Sequence, residues 1–193
     1  MRLTAGTTVP TRQLTPVAGP PVPVPDPEHV VHLQFRRFAG CPVCTLHLHS
    51  FARQHDALLA AGVREVVVFH APIDELRPQV AGLPFAVIAD PGKRLYAEFG
   101  VESGRRALLD PRAWPAIVRG VLASLWGIVA HHRPAPAASP SGGRLGLPAD
   151  FLISPDGQIL AVRYGQHAND QWPVTEVLAL ASQANRAESR HPA

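Results

Sequence analysis

The apolar positions of this chain change period along its length, and each change marks an element. Val30-Val31-His32-Leu33-Gln34-Phe35 alternates and is rich in β-branched residues, which predicts a strand. Beyond Cys44 the period lengthens. Leu48, Phe51, Ala52, His55, Leu58 and Leu59 recur at three- and four-residue steps, with Arg53, Gln54 and Asp56 between them, and Gly62 is placed to cap the resulting helix. Glu65-Val66-Val67-Val68-Phe69 and Phe85-Ala86-Val87-Ile88-Ala89 are apolar runs of strand length, separated by a short predicted helix over 72–80. The turn Asp90-Pro91-Gly92 leads into a helix over 93–99 that Gly100 ends. Phe151-Leu152-Ile153, the turn Ser154-Pro155-Asp156-Gly157 and the run 159–164 predict a β-hairpin, and 172–182 a closing helix.

The flanks read differently. Prolines crowd residues 1–28 and end in Pro20-Pro21-Val22-Pro23-Val24-Pro25-Asp26-Pro27, which predicts a disordered, Pro-rich arm. Residues 101–147 interrupt the strand–helix rhythm with an amphipathic segment at 116–130 and a loop rich in Pro, Ser and Gly at 134–143, so they are read as a helical and loop insertion. The folded domain is expected over 29–182 and a flexible tail over 183–193. The order β-α-β-α-β-α, insertion, β-β-α specifies an α/β protein. Its architecture is that of a thioredoxin-like fold, a mixed central sheet flanked by helices, with the insertion before the final hairpin.

Composition narrows the function. The chain has 193 residues, 46% of them hydrophobic, enough for a core without structural disulfides. The formal charge of +3 comes from scattered arginines, so nucleic-acid binding is not expected. The longest apolar stretch, 116–130, is interrupted by Arg119 and is too short to span a bilayer. There are two cysteines and no apolar run of signal-peptide length near Met1, and a cytoplasmic location is expected.

Those two cysteines carry the chemistry. Cys41-Pro42-Val43-Cys44 lies where a strand ends and a helix begins, a place where unpaired N–H groups and the helix dipole stabilise a thiolate. Pro42 suits the first helical position. Cys41 is expected at the solvent-facing edge as the attacking thiol, with Cys44 one turn in as the resolving one. Two other readings compete. The pair could bind zinc with help from His47, which falls one turn beyond Cys44, although a second cysteine pair is missing. It could also be two inert core residues. His47 and His49 are read as helix-surface residues, with tuning of the thiolate as the alternative.

Phe38-Ala39-Gly40-Cys41-Pro42-Val43-Cys44, Gly92-Lys93-Arg94-Leu95-Tyr96-Ala97-Glu98-Phe99-Gly100 and Phe151-Leu152-Ile153-Ser154-Pro155-Asp156-Gly157 resemble the peroxiredoxin-like branch of the AhpC/TSA superfamily over about residues 29–182. The resemblance implies a thiol-dependent redox enzyme, a thiol–disulfide oxidoreductase or antioxidant protein cycling a Cys41–Cys44 disulfide. It implies no bound cofactor, a dithiol donor such as a thioredoxin or a low-molecular-weight thiol, a disulfide or peroxide substrate, and room for a homodimer.

The departures are informative. The peroxiredoxin pattern Pro-x-x-x-Thr-x-x-Cys, set on Cys44, puts Cys41 at the threonine and Arg37 at the proline, and that alignment would give the attack to Cys44. Pro148 stands where those enzymes keep an arginine, the place where thioredoxin-like oxidoreductases keep a cis-proline facing the cysteines. Pro148 is therefore expected in a cis bond beside the pair, and peroxide turnover is expected to be weak, unless another arginine such as Arg37 or Arg144 substitutes. The rival reading is a redox-responsive binding module without turnover, its insertion docking a partner or a membrane surface.

Overall fold

The computed structural model describes residues 1–102, 104, 110–131, 141 and 143–188. Five strands form the central sheet: β3 (Val30–Arg36), β4 (Val63–Phe69), β5 (Ala86–Ala89), β6 (Ala149–Ile153) and β7 (Ile159–Tyr164), in the order β5-β4-β3-β6-β7. β3, β4 and β5 run parallel, while β6 and β7 are antiparallel additions. α1 (Pro42–Arg53) and α2 (His55–Ala60) fill the crossover to β4, α3 (Ile73–Val80) the crossover to β5, and α4 (Arg94–Glu98) follows β5. A 3-10 turn at Pro111–Ala113 leads into α5 (Trp114–His131), the helix of the insertion, and α6 (Val174–Glu188) closes the chain. The mixed sheet and the helix before the final hairpin agree with the fold expected from sequence. Among the described residues no helix is long and apolar enough to cross a membrane.

Two apolar layers hold the sheet. On one face Leu33, Phe35, Val66, Val68, Phe151 and Ile153 pack with Tyr96 and Phe99. On the other, Phe51 and Leu58 meet Trp172, Val174 and Val177. The second face also carries polar residues. His32, Gln34 and Arg36, alternate residues of β3, are buried there together with Glu65 of β4 and Asp150 of β6. The register explains the contacts: His32 is opposite Glu65 and Gln34 is opposite Asp150.

The first 28 residues correct an expectation. The proline-rich segment is not a disordered arm. It forms a hairpin, β1 (Arg12–Leu14) with β2 (Val22–Val24), and lies against the sheet. Val9, Leu14 and Val24 are buried in the first apolar layer. The amides of Val9 and Val17 donate to the carbonyls of Gly157 (2.9 Å) and Val87 (2.7 Å). Composition suggested disorder, while the valines and Leu14 supplied the core contacts. At the other end, α6 continues through residue 188, past the expected start of the tail at 183, and residues 189–193 lie outside the described residues. Most of the predicted loop 134–143 lies outside them as well.

Because Leu14 is buried, Leu14→Ala should cost about 2–3 kcal/mol of stability, measured as a lowered urea midpoint at unchanged m. A cost below about 0.5 kcal/mol would show that the hairpin does not pack on the sheet in solution.

Candidate active site

β3 ends at Arg36, and the chain must turn sharply to start α1. Gly40 adopts φ 72°, the Cys41 amide donates to the Phe38 carbonyl (3.1 Å), and the Cys41 carbonyl accepts the first helical bond, from Thr45 (2.8 Å). Cys41 is thereby the N-cap residue of α1, Pro42 its first residue, and Cys44 lies within its first turn. Both cysteines are free thiols.

The next contact is a cation. Arg37 Nη1 lies 3.6 Å from Cys41 Sγ. The guanidinium is held by two carbonyls, Gly146 at 3.1 Å and Arg144, and lies against the Phe38 ring. Arg37 is 2% exposed, so its charge acts on the sulfur with little screening. An arginine thus reaches Cys41 from four residues upstream of it, and not from the position of Pro148. The position of Pro148 still carries no arginine, and the threonine position is still Cys41 itself.

The two sulfurs are driven apart in acidity. The Cys44 thiol donates to Cys41, the strongest influence on it; burial opposes ionisation, and Arg37 with the N–H groups of Cys44 and Val43 favours it. The Cys41 pKa falls to about 6. Cys44, whose proton is held in that bond and which is buried beside the Cys41 charge, is pushed well above the usual thiol range. At neutral pH the pair holds one thiolate and one thiol, the division that attack followed by resolution requires.

Cys41 does not face solvent, contrary to expectation: it is 1% exposed, as is Cys44. Phe38 and Val43 enclose the pair from the loop and α1, and Ala116 and Ile117 of α5 pack over them. Gly120 permits this close crossing, since a methyl there would stand 3.0 Å from the Pro42 carbonyl carbon. On the side of α3 a cavity of about 10 Å³ touches both cysteines, with His49, Gln79 and Leu83 in its wall. It is about the size of one water.

The histidines depart from a surface reading. His47 turns inward, its Nε2 3.0 Å from Arg36 Nη2, and burial with the Arg36 charge holds its pKa well below the imidazole range. It is therefore a neutral member of the polar stripe, and among the described residues no group of three His, Cys, Asp or Glu side chains is placed to hold a metal ion. The stripe runs from Glu65 through His32 (2.9 Å) to Asp150 (3.3 Å) and Arg36 (2.7 Å). Burial opposes the charge of His32, but Glu65 and Asp150 prevail and raise its pKa to about 9. Sequence reasoning missed this stripe, as alternation in a strand does not say which face is wet.

Pro148 is not the expected cis-proline. Among the described residues the cis bond is Val24–Pro25, and Leu147–Pro148 is trans. Pro148 leads straight into β6, where Ala149 pairs with Phe35, and its carbonyl accepts from Gly165 (2.8 Å). It is absent from the walls of the cavity at the sulfurs. The segment that does serve the site is Arg144–Gly146, through Arg37.

A fold of this topology with an ionised cysteine at its first long helix has relatives that can be named. The family model of the AhpC/TSA antioxidant enzymes matches residues 47–167, more than half of the chain. The chain belongs to this family. The match begins just beyond the cysteine pair. No curated protein sequence matches significantly. Among solved structures, the peroxidoxin BcpB of Mycobacterium tuberculosis is 17% identical, with a TM-score of 0.66 over 94% of this chain and 98% of its own. AhpC of the same organism is 16% identical, with a TM-score of 0.66 over 97% and 96%. The reduced 2-Cys peroxiredoxin of Plasmodium vivax is 13% identical, with a TM-score of 0.67 over 98% and 85%. At these identities the likeness is one of fold. The AhpC/TSA assignment and the thioredoxin-like architecture together make a thiol redox protein.

The thiolate can be observed directly. Absorbance at 240 nm of the reduced protein should show one thiolate lost as pH falls through about 6. Cys44→Ala, which removes the donor, and Arg37→Gln should each move that step upward by about one unit or more. No thiolate below pH 8 in the wild type would contradict the site as described.

Proposed function

We propose that the protein is a thiol-dependent oxidoreductase in which Cys41 is the nucleophile and Cys44 resolves it, cycling through a Cys41–Cys44 disulfide. The observation that carries this reading is the arrangement Arg37–Cys41–Cys44, in which a buried cation, helix N–H groups and a neighbouring thiol converge on one sulfur. The Cys41 thiolate attacks one oxygen of a peroxide, breaking the O–O bond; it becomes a sulfenic acid, and the other oxygen leaves as alkoxide or hydroxide and takes a proton. The Cys44 thiol then attacks the sulfenic sulfur, forming the disulfide and releasing water. Two thiols of a donor return the pair to the dithiol. A disulfide substrate would follow the same course through a mixed disulfide on Cys41.

The closed site discriminates by size. A cavity of one-water size beside two buried sulfurs favours the smallest substrate, hydrogen peroxide, over larger ones. A protein disulfide, or a protein dithiol such as a thioredoxin, needs α5 displaced. A reducing compartment such as the cytoplasm supplies the donor. The alternative of a binding module without turnover has less support, because a switch does not need the acidities of its two cysteines separated.

Cys44→Ser should trap Cys41 as a mixed disulfide with a thiol–disulfide reagent, or as a sulfenic acid with peroxide, and turnover should fall at least 100-fold. Cys41→Ser should trap little. Mass spectrometry of the trapped adducts distinguishes the two; the reverse assignment would give the attack to Cys44. A wild type that never forms the internal disulfide would end the redox reading.

A further inference from the structure

α5 is apolar on two opposite faces. Its inner face lies over α1, where Ala116 and Ile117 pack on the cysteine cluster and Gly120 permits the close crossing. Its outer face is exposed. Val118, Leu122, Leu125 and Val129 run along it, with Trp114 and Val121 on one flank and Trp126 on the other, each between 42% and 74% exposed. At 3.6 residues per turn these positions fall within an arc of about 140°. A helix of a globular protein turns such an arc to a core, and this one already has a core contact on its other side. Together the side chains present on the order of 800 Å² of largely apolar surface, more than the largest apolar patch of a typical monomer and about one partner's share of a standard interface.

Spacing and charge identify what covers this face. Val118, Leu122, Leu125 and Val129 follow one another at steps of four, three and four residues, the seam by which one helix packs against another. Such a seam fits a copy of itself, which is what a two-fold interface requires. From 111 to 149 the sequence holds no Asp or Glu, so the face has no carboxylate to offer a basic partner. Arg119, the one Lys or Arg of α5, stands at the edge of the face beside Trp126. An amphipathic helix that lies on a membrane carries Lys and Arg along the side opposite its apolar face, and here that side is packed on α1. Two α5 helices laid antiparallel about a two-fold axis, Val118 opposite Val129 and Leu122 opposite Leu125, bring Arg119 of each helix next to Trp126 of the other. The cation then meets an aromatic ring, so charge as well as shape is self-complementary.

We propose that the outer face of α5 is the interface of a homodimer, in which two copies of the chain pack helix against helix in this antiparallel register. The interface lies on the back of the helix that encloses Cys41 and Cys44. It does not depend on the redox cycle proposed above.

Sedimentation velocity of the full-length protein, at micromolar concentration under reducing conditions, should give twice the mass of one chain. Leu122→Glu/Leu125→Glu places carboxylates in the seam and should weaken association at least a hundredfold, leaving monomer. Both leucines are more than half exposed, so the variant tests the seam without opening the core, and circular dichroism checks that it folds. Leu59→Glu, on α2 and also exposed, should leave the dimer intact. The register is tested in the Cys41→Ser/Cys44→Ser background. There a mixture of the Val118→Cys and Val129→Cys proteins should form an interchain disulfide under mild oxidation, and neither should do so alone. A monomeric wild type, a dimer that survives Leu122→Glu/Leu125→Glu, or no cross-link in the mixture would each overturn the proposal. A monomer that floats with phosphatidylglycerol vesicles, and loses that property in Leu122→Glu/Leu125→Glu, would overturn it in favour of a lipid surface.

Discussion

The ion pair between Arg36 and Asp150, both side chains fully buried, fixes the end of β3, and the reactive loop springs from that point. Strand geometry sends successive side chains to opposite faces. Arg36 goes into the polar stripe beneath α1, and Arg37 emerges on the side of Cys41. Two adjacent arginines thus perform different tasks because they sit one residue apart at a strand end. The stripe is continuous: Asp150 meets Arg36 and His32, His32 meets Glu65, Gln34 bridges Glu65 to Arg36, and Arg36 meets His47 of α1. Such a set adds little net stability compared with an apolar core, but removing one member strands its partners at a cost of about 3–5 kcal/mol. It defines one position for α1, and α1 carries the cysteines.

The site above it is an electrostatic arrangement with a steric cover. A thiolate can exist at 1% exposure only because a guanidinium, two helix amides and a thiol replace the water it has lost. α5 completes the enclosure from one side with small residues, Ala116 and Gly120, at the crossing. The same helix presents Trp114, Val118, Leu122 and Trp126 to solvent.

Much of this was legible in the sequence, for identifiable reasons. The parallel strands announced themselves by alternation over 30–35 and by apolar runs over 66–69 and 85–89, and the hairpin at Ser154-Pro155-Asp156-Gly157 by its turn chemistry. The cysteine spacing located the reactive loop. What was hidden depended on contacts remote in sequence. Leu14 and Val24 look like linker residues until the sheet is present to receive them. His32, Gln34 and Arg36 look like the wet face of a strand, because nothing local says that Glu65 and Asp150 will lie beside them. Pro148 was given a role by alignment, but its peptide bond is trans and it does not line the cavity at the sulfurs. Arg37 was visible as a cation four residues before Cys41, but its carbonyl partners come from residues 144 and 146.

The central claim is that Arg37 and the helix start stabilise Cys41 as a thiolate, and so favour the dithiol over the disulfide. The reduction potential tests it most directly. Equilibration in glutathione buffers should give a two-electron transition between the values of thioredoxin, about −270 mV, and the strong oxidant DsbA, about −120 mV. Arg37→Gln should shift it to more negative potential. The absence of a two-electron transition, or a variant whose potential equals that of the wild type, would contradict the account.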